Sequence, residues 1–143
     1  MAELLRIDAV VDTTATPEAV WTLLASVDTW NDWGPWDTAE LERTGSPDPA
    51  GVGAIRRFKY RRRVTREEVV GFEPPTRFVY ALVSGLPLRN YRAEVTVTPA
   101  GDGARLEWHS RFDPTLMGRL VRPYLARFIR DVATRLARSA ETA

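Results

Sequence analysis

Hydrophobic residues recur at spacings of three and four over the last part of the chain, from Thr115 to Ser139. They cover about half of the helix circumference, and the arginines of this segment occupy the other half. The pattern predicts one long amphipathic helix, which Pro123 should kink or divide in two, since proline lacks the amide donor of a helical hydrogen bond. The apolar positions are Met117, Leu120, Val121, Tyr124, Leu125, Phe128, Ile129, Val132 and Leu136.

Before this helix the chain alternates apolar and polar residues with a period of two, which is typical of half-buried strands. The first strand is predicted over residues 5–11. Thr16 followed by Pro17 then starts the first of two short helices, the second of which ends at Gly34. Six further strand segments follow, separated by short turns rich in Gly, Pro and Asp. They are residues 38–43, 53–60, 64–72, 78–83, 91–97 and 106–112.

Short connections between strands favour antiparallel neighbours, so we expect these seven strands to form a single meander. A long helix with one broad apolar face needs a wide, curved partner, and this sheet supplies it. The sequence therefore predicts an α+β fold, in which a curved seven-stranded antiparallel sheet wraps around a long C-terminal helix. At 143 residues, without repeats, we expect a single domain over residues 1–143.

The composition argues against several functions. Hydrophobic residues make up 44% of the chain and charged residues 27%, no apolar run could span a membrane, and the first residues lack a secretory signal. We therefore expect a cytoplasmic protein without a membrane span. The chain has no cysteine, and its single histidine, His109, is predicted on the solvent face, so we expect no metal site.

Neither a nucleotide cofactor nor a nucleic acid is expected as a partner. Gly51 and Gly53 lack the third glycine and the following helix of a dinucleotide motif. Residues 56–63 are basic with interleaved aromatics, as in surfaces that bind nucleic acid or anionic lipid, but strand alternation divides these charges between two faces. Since the net charge is only +1, we interpret the tip at Arg61 and Arg62 as a solvated turn, and we expect a monomer or a homodimer.

Several short motifs are spread along nearly the whole chain. They are Pro17-Glu18-Ala19-Val20-Trp21, Trp30-Asn31-Asp32-Trp33, Gly51-Val52-Gly53-Ala54-Ile55-Arg56, Glu73-Pro74-Pro75 and the strand end from Trp108 to Pro114. In these motifs the sequence resembles the polyketide cyclase/dehydrase branch of the START-like superfamily, also called SRPBCC or Bet v 1-like. The resemblance implies a helix-grip fold, with a ligand cavity between the curved sheet and the C-terminal helix.

Strand alternation assigns side chains to the interior of such a cavity. On the third strand the apolar face carries Arg56 inward, where an unpaired charge would be costly. A two-residue turn at residues 61–62 places Glu67 opposite Arg56 as a partner, whereas a three-residue turn would place Arg66 and Glu68 inside instead.

The predicted ligand-binding residues are mostly apolar, with a few hydroxyl and charged groups, as small-molecule sites require. If a ligand is bound, a void of more than about 300 Å³ should lie between helix and sheet. The residues are Trp33, Trp36, Arg56, Phe58, Glu67, Phe78, Tyr80, Leu82, Leu86, Tyr91, Ala93, Trp108, Ser110, Met117, Val121, Tyr124 and Phe128.

These patterns favour a binding or carrier protein for a small, mostly hydrophobic, lipid- or polyketide-like molecule. The resemblance implies a second hypothesis, a polyketide cyclase or aromatase acting on a hydrophobic carbonyl substrate in the same cavity. In that case Arg56 would stabilise enolate charge, and Tyr80 or Glu67, kept ionised by Arg56, would move protons. A third hypothesis is an interaction module whose cavity is filled by its own side chains. None of the three implies a cofactor.

Overall fold

Seven strands, two short helices and one long helix follow one another in the computed structural model, which describes residues 3–143. The boundaries lie close to the predicted ones, and the predicted α+β helix-grip fold is confirmed. The first elements are β1 (Leu5–Thr13), α1 (Pro17–Ala25), a 3₁₀ turn (Val27–Thr29) and α2 (Trp30–Trp33). They are followed by β2 (Thr38–Arg43), β3 (Ile55–Tyr60), β4 (Arg63–Glu73), β5 (Arg77–Ser84), β6 (Arg92–Ala100), β7 (Gly103–Phe112) and α3 (Leu116–Glu141).

The sheet is curved and unclosed, with the strand order β1-β7-β6-β5-β4-β3-β2 and antiparallel pairing throughout. Register shifts interrupt the β4–β5 ladder between Arg66 and Glu67 and between Val69 and Gly71. Such irregularities bend a strand and increase its twist, so they contribute to the curvature that lets the sheet enclose a helix.

Helix α3 is continuous, so Pro123 does not divide it into two helices. Thr115 caps its start, because the Thr115 hydroxyl accepts a hydrogen bond from the amide of Gly118 at 2.9 Å. Within residues 3–143, no helix is long and apolar enough to cross a membrane.

The two halves of α3 are buried to different extents. The C-terminal half packs on β1 and α1 and buries Ile129, Val132 and Leu136. In the N-terminal half, Leu120 and Tyr124 are largely exposed, although they belong to the predicted apolar face. The helix pattern therefore predicts the core contacts of the C-terminal half only.

The β3–β4 hairpin decides which side chains of these strands face the helix. Residues 61–62 form a two-residue turn, in which Arg61 has a positive φ of 56°. Arg56 consequently lies opposite Glu67, and Phe58 lies opposite Thr65. The two-residue alternative is therefore correct, and the three-residue alternative is wrong.

A carboxylate at the end of α3 ties this helix to the segment after β1. Glu141 Oε2 accepts hydrogen bonds from the amide of Thr14 and the hydroxyl of Thr13, both at 3.0 Å, and from the guanidinium of Arg138. The Thr14 amide, followed by Arg138 and the Thr13 hydroxyl, lowers the pKa of Glu141 from 4.5 to about 2.

Because the pKa of Glu141 is lower in the folded than in the unfolded chain, its stabilising effect is complete above pH 4.5 and is lost as the pH falls toward 2. We expect the Glu141→Gln variant to be less stable than the wild type at neutral pH, with a difference that shrinks on acidification through this range. Thermal unfolding at a series of pH values measures the difference. A difference of the same size at pH 2 and at neutral pH would contradict this account.

Candidate ligand-binding site

A cavity of about 440 Å³ lies between the concave face of the sheet and the N-terminal half of α3. It exists because α3 packs closely on β1 and β7 but not on β3, β4 and β5. The volume exceeds the value of about 300 Å³ expected for a small-molecule site. Apart from a few polar groups, the walls are aromatic and aliphatic side chains.

The cavity wall includes most of the residues that the sequence predicts for the site, from β3, β4, β5, β7, α3 and the segments before β2 and between β5 and β6. They come together because alternate residues of neighbouring strands share one face, and that face is concave. The predicted residues on the wall are Trp36, Phe58, Glu67, Tyr80, Leu82, Leu86, Tyr91, Trp108, Met117, Val121, Tyr124 and Phe128.

Five predicted residues do not reach the cavity. Four of them lie on strands, where alternation predicts the face of a residue but not its depth. The ring of Phe78 is covered by α1 and packs against Trp21 at a centroid distance of 6.1 Å. Ala93 is paired with Tyr80 across the β5–β6 ladder and is too short to extend past that ring. The residues that do not line the cavity are Trp33, Arg56, Phe78, Ala93 and Ser110.

The structure adds residues that the prediction missed. Leu125, Ile129 and Val132 belong to the apolar stripe of α3, so the helix pattern contained the signal for them. Thr65 could have been inferred from its position opposite Phe58 in the hairpin. Trp30 had no such signal, since it lies on a four-residue helix without periodicity. The missed residues are Trp30, Tyr60, Arg63, Thr65, Leu125, Ile129 and Val132, and Pro87 lines the cavity beside the predicted Leu86.

Arg56 is almost completely buried behind the cavity wall, with 1% of its side chain exposed. The guanidinium carbon lies 4.2 Å from the ring centroid of Trp30, 4.8 Å from that of Phe78 and 5.2 Å from that of Phe58. Aromatic faces attract a cation most strongly where water is excluded. These rings therefore form an aromatic cage around the guanidinium.

Two hydrogen bonds fix the orientation of Arg56 within the aromatic cage. Its Nη1 donates to the carbonyl of Leu24 at 3.1 Å, and its Nη2 donates to Oε1 of Glu67 at 3.0 Å. Within residues 3–143, Nε of Arg56 has no hydrogen-bond partner. Burial lowers the pKa of Arg56, although the charge of Glu67 acts in the opposite direction.

Glu67 carries the carboxylate of the cavity wall, with 15% of its side chain exposed. Burial raises the pKa of the Glu67 carboxyl above its usual value, and the neighbouring charge of Arg56 offsets this only partly. That Arg56 holds Glu67 ionised stays a prediction. The guanidinium does lower the pKa of Glu67, but the loss of hydration raises it by more.

A chain of hydroxyl groups forms the second polar feature of the cavity. The indole Nε1 of Trp108 donates to the hydroxyl oxygen of Tyr80 at 3.1 Å, the hydroxyls of Tyr80 and Tyr91 are 3.3 Å apart, and Tyr91 lies 2.9 Å from Oγ of Ser110. An indole can only donate, so the oxygen of Tyr80 is an acceptor there. The hydroxyl of Tyr80 can therefore donate its own hydrogen bond to Tyr91 or to a group inside the cavity.

The entrance of the cavity lies between the N-terminal half of α3, the β3–β4 hairpin and the loop after β5. Tyr124, Tyr60 and Pro87 are exposed residues of its wall. Gly85 holds the loop close to β4: its φ is 109°, and a Cβ atom there would lie 2.2 Å from the carbonyl oxygen of Val64. Only glycine fits this approach, so the position of the loop beside the entrance depends on it.

The cavity can bind an apolar molecule and supply it with a few oriented hydrogen bonds. Within residues 3–143, no group of three His, Cys, Asp or Glu side chains is placed to hold a metal ion. The polar groups of the wall include the carboxyl of Glu67, which accepts a hydrogen bond from Arg56, and the hydroxyl of Tyr80.

Solved structures with this architecture belong to START-like proteins of several kinds. A START superfamily protein from Mycobacterium smegmatis has a TM-score of 0.80 and 13% identity, covering 96% of this chain and 97% of that one. The di-domain ARO/CYC StfQ from the steffimycin biosynthetic pathway has a TM-score of 0.80 and 14% identity, with 98% and 51% coverage. A norcoclaurine synthase from Thalictrum flavum has a TM-score of 0.70 and 14% identity, with 98% and 97% coverage.

These similarities show the helix-grip fold, as predicted. The sequence from residue 5 to residue 141 also matches a family model, and the chain belongs to that family, described as polyketide cyclase / dehydrase and lipid transport. No curated protein matches the sequence. At identities below 25% the solved structures establish the fold alone, and functions within one fold vary widely.

Proposed function

We propose that the protein binds a small, mostly apolar molecule, lipid- or polyketide-like, between the sheet and α3. The observation that carries the proposal is the cavity of about 440 Å³, which lies beside the buried hydrophobic core. A domain that used its core for stability alone would fill such a space with its own side chains. The void therefore argues for a ligand and against an interaction module with a filled core.

The polar groups of the cavity support a ligand that carries an oxygen function. Burial raises the pKa of Tyr91 to about 12 and raises that of Tyr80 well above 10. Both tyrosines are consequently neutral at physiological pH, and Tyr80 can donate a hydrogen bond to a carbonyl, phenol or quinone oxygen. Glu67 can accept one from a hydroxyl group on the same molecule, if its carboxyl is ionised.

Filling the cavity should abolish binding without disturbing the sheet. Val121 is a half-buried residue of α3 that lines the cavity, so the Val121→Trp variant places an indole in the ligand space. We expect it to weaken the binding of anilinonaphthalene sulfonate, an apolar fluorescent probe, at least about tenfold, since losing contacts worth about 1.4 kcal/mol suffices for this. Fluorescence titration of the protein in buffer without lipid measures the change in affinity for the probe.

The matched control is Leu120→Trp, because Leu120 is adjacent in sequence but exposed and does not line the cavity. It should bind the probe like the wild type. Equal affinities of the wild type and Val121→Trp would mean that the cavity does not hold the probe. Native mass spectrometry of the purified protein would identify any natural ligand that stays bound.

A cyclase-type enzyme is a second candidate, which the position of Glu67 in the cavity wall favours. The Glu67 carboxyl, whose pKa burial raises, can take a proton from a substrate and return it, and the Tyr80 hydroxyl can stabilise a developing enolate. Glu67→Gln distinguishes the two candidates, since an amide oxygen can still accept the hydrogen bond from Arg56 but cannot act as a base. Turnover of a polyketide-like carbonyl compound that is lost in this folded variant would favour the enzyme.

A further inference from the structure

The N-terminal half of α3 carries an exposed apolar stripe beside the cavity entrance. Leu116 and Tyr124 are each 73% exposed, Leu120 is 58% exposed and Met117 is 47% exposed. They are four of the nine exposed large hydrophobic residues within residues 3–143, and they lie within three turns of one helix. Because Met117 and Tyr124 also line the cavity, the stripe continues into the entrance.

Unpaired arginines flank this stripe. Between Thr115 and Arg130 the helix has arginines at positions 119, 122, 127 and 130 and no acidic residue. At 100° per residue, Arg119 lies on one edge of the stripe, and Arg127 continues the line of the stripe about one turn beyond Tyr124. Eight of the fifteen arginines elsewhere form ion pairs, and within residues 3–143 no acidic side chain lies within 4 Å of Arg119 or Arg127.

The tip of the β3–β4 hairpin adds further positive charge at the same place. The ring of Tyr60 packs against that of Phe128 on α3 at a centroid distance of 6.3 Å. The guanidinium carbon of Arg61 lies 5.4 Å from the centroid of the same Tyr60 ring. Arg63 lines the cavity entrance. The sequence pattern alone favours a solvated turn here, but the fold sets this turn beside the basic half of α3.

We propose that this entrance surface, formed by Leu116, Met117, Leu120 and Tyr124 with the arginines around them, docks on a membrane containing anionic phospholipids. Apolar side chains on one helix face, bordered by arginines, suit a helix that lies in the bilayer interface. Each basic residue near an anionic surface adds to the attraction, and the net charge of +1 shows that the positive excess is local.

The docked orientation turns the cavity entrance toward the lipid. A mostly apolar ligand can then pass between bilayer and cavity without crossing water, which would be costly for its apolar surface. This step rests on the proposed ligand-binding function. The docking on the membrane does not depend on ligand binding, because four of its residues are not part of the cavity wall. They are Leu116, Leu120, Arg119 and Arg127.

Vesicle co-sedimentation tests the docking with two lipid compositions, phosphatidylcholine alone and phosphatidylcholine with phosphatidylglycerol. We expect the wild type to bind the anionic vesicles and to dissociate at high salt, where charges are screened. Leu116→Ser/Leu120→Ser and Arg119→Gln/Arg127→Gln should each weaken binding about tenfold or more. Leu4→Ser/Val10→Ser and Arg92→Gln/Arg111→Gln are the matched controls, since these residues are exposed on other surfaces, and they should bind normally.

Absence of wild-type binding to anionic vesicles overturns the docking proposal, as does equal binding by the entrance-surface variants and their controls. A second copy of the chain could cover the stripe instead. In that case sedimentation velocity would show a dimer that Leu116→Ser/Leu120→Ser dissociates, and vesicle binding would be missing, which also overturns the proposal. Titration of the fluorescent probe without vesicles separates the two questions, because it reports on the cavity whether or not the protein docks.

Discussion

Replacing Glu67 with leucine is expected to lower the free energy of unfolding by about 3–5 kcal/mol, the usual cost of removing one partner from a buried ion pair. The substitution leaves the guanidinium of Arg56, with 1% of its side chain exposed, without a counter-ion. The carbonyl of Leu24 and the aromatic cage would remain as its only compensation. Urea denaturation at neutral pH, followed by circular dichroism, measures the loss.

The double variant Arg56→Met/Glu67→Leu separates an unpaired charge from lost packing. It removes both charges and keeps apolar groups of similar length, so we expect it to recover most of the stability that Glu67→Leu loses, as buried pairs replaced by apolar residues often do. If Glu67→Leu alone costs less than about 1 kcal/mol, the aromatic cage suffices to hold the guanidinium. If the double variant is no more stable than Glu67→Leu, packing rather than charge dominates at this site.

The ion pair between Arg56 and Glu67 could be predicted from sequence, because two local rules agree on it. The apolar residues of β3 set its inward face, and the cost of a lone buried charge requires a partner on the same face. The length of the turn was harder to predict. Two-residue turns with positive φ normally use Asn or Gly, whereas here Arg61 adopts that conformation.

The cavity wall could be predicted only in part, because periodicity assigns a direction and not a distance. Leu120 and Val121 both belong to the predicted apolar face of α3, yet Leu120 faces solvent and Val121 lines the cavity. The difference arises from where the helix leaves the sheet, which depends on the whole curved layer. The same limit explains why Ala93 was predicted on the wall but lies beneath it.

The direction of the Glu67 pKa shift shows a further limit of pairwise reasoning. The sequence supplies the partner charge, and the partner charge alone would lower the pKa. The degree of burial comes from α1 and α3 closing over the sheet, and burial dominates here. A functional role that depends on the ionisation of a residue therefore requires the tertiary structure.

Trp30 belongs to both the aromatic cage and the cavity wall, and Trp30→Ala is expected to cost about 3–5 kcal/mol of unfolding free energy. Its side chain is 2% exposed, and its ring lies 5.1–5.3 Å from the rings of Trp33, Trp36 and Phe58. Its Nε1 donates a 2.8 Å hydrogen bond to the carbonyl of Leu23, and its face covers the guanidinium of the buried arginine.

Trp33→Ala is the matched control for Trp30→Ala, since Trp33 neighbours the same rings but is half-buried and does not line the cavity. We expect it to cost less than half as much in urea denaturation, because it removes less buried surface and leaves the cation covered. Trp30→Ala should also enlarge the cavity and let it accept a bulkier apolar probe. Equal costs for the two variants would mean that the tryptophan cluster acts as a unit, and that Trp30 has no special part in holding Arg56 beside the ligand space.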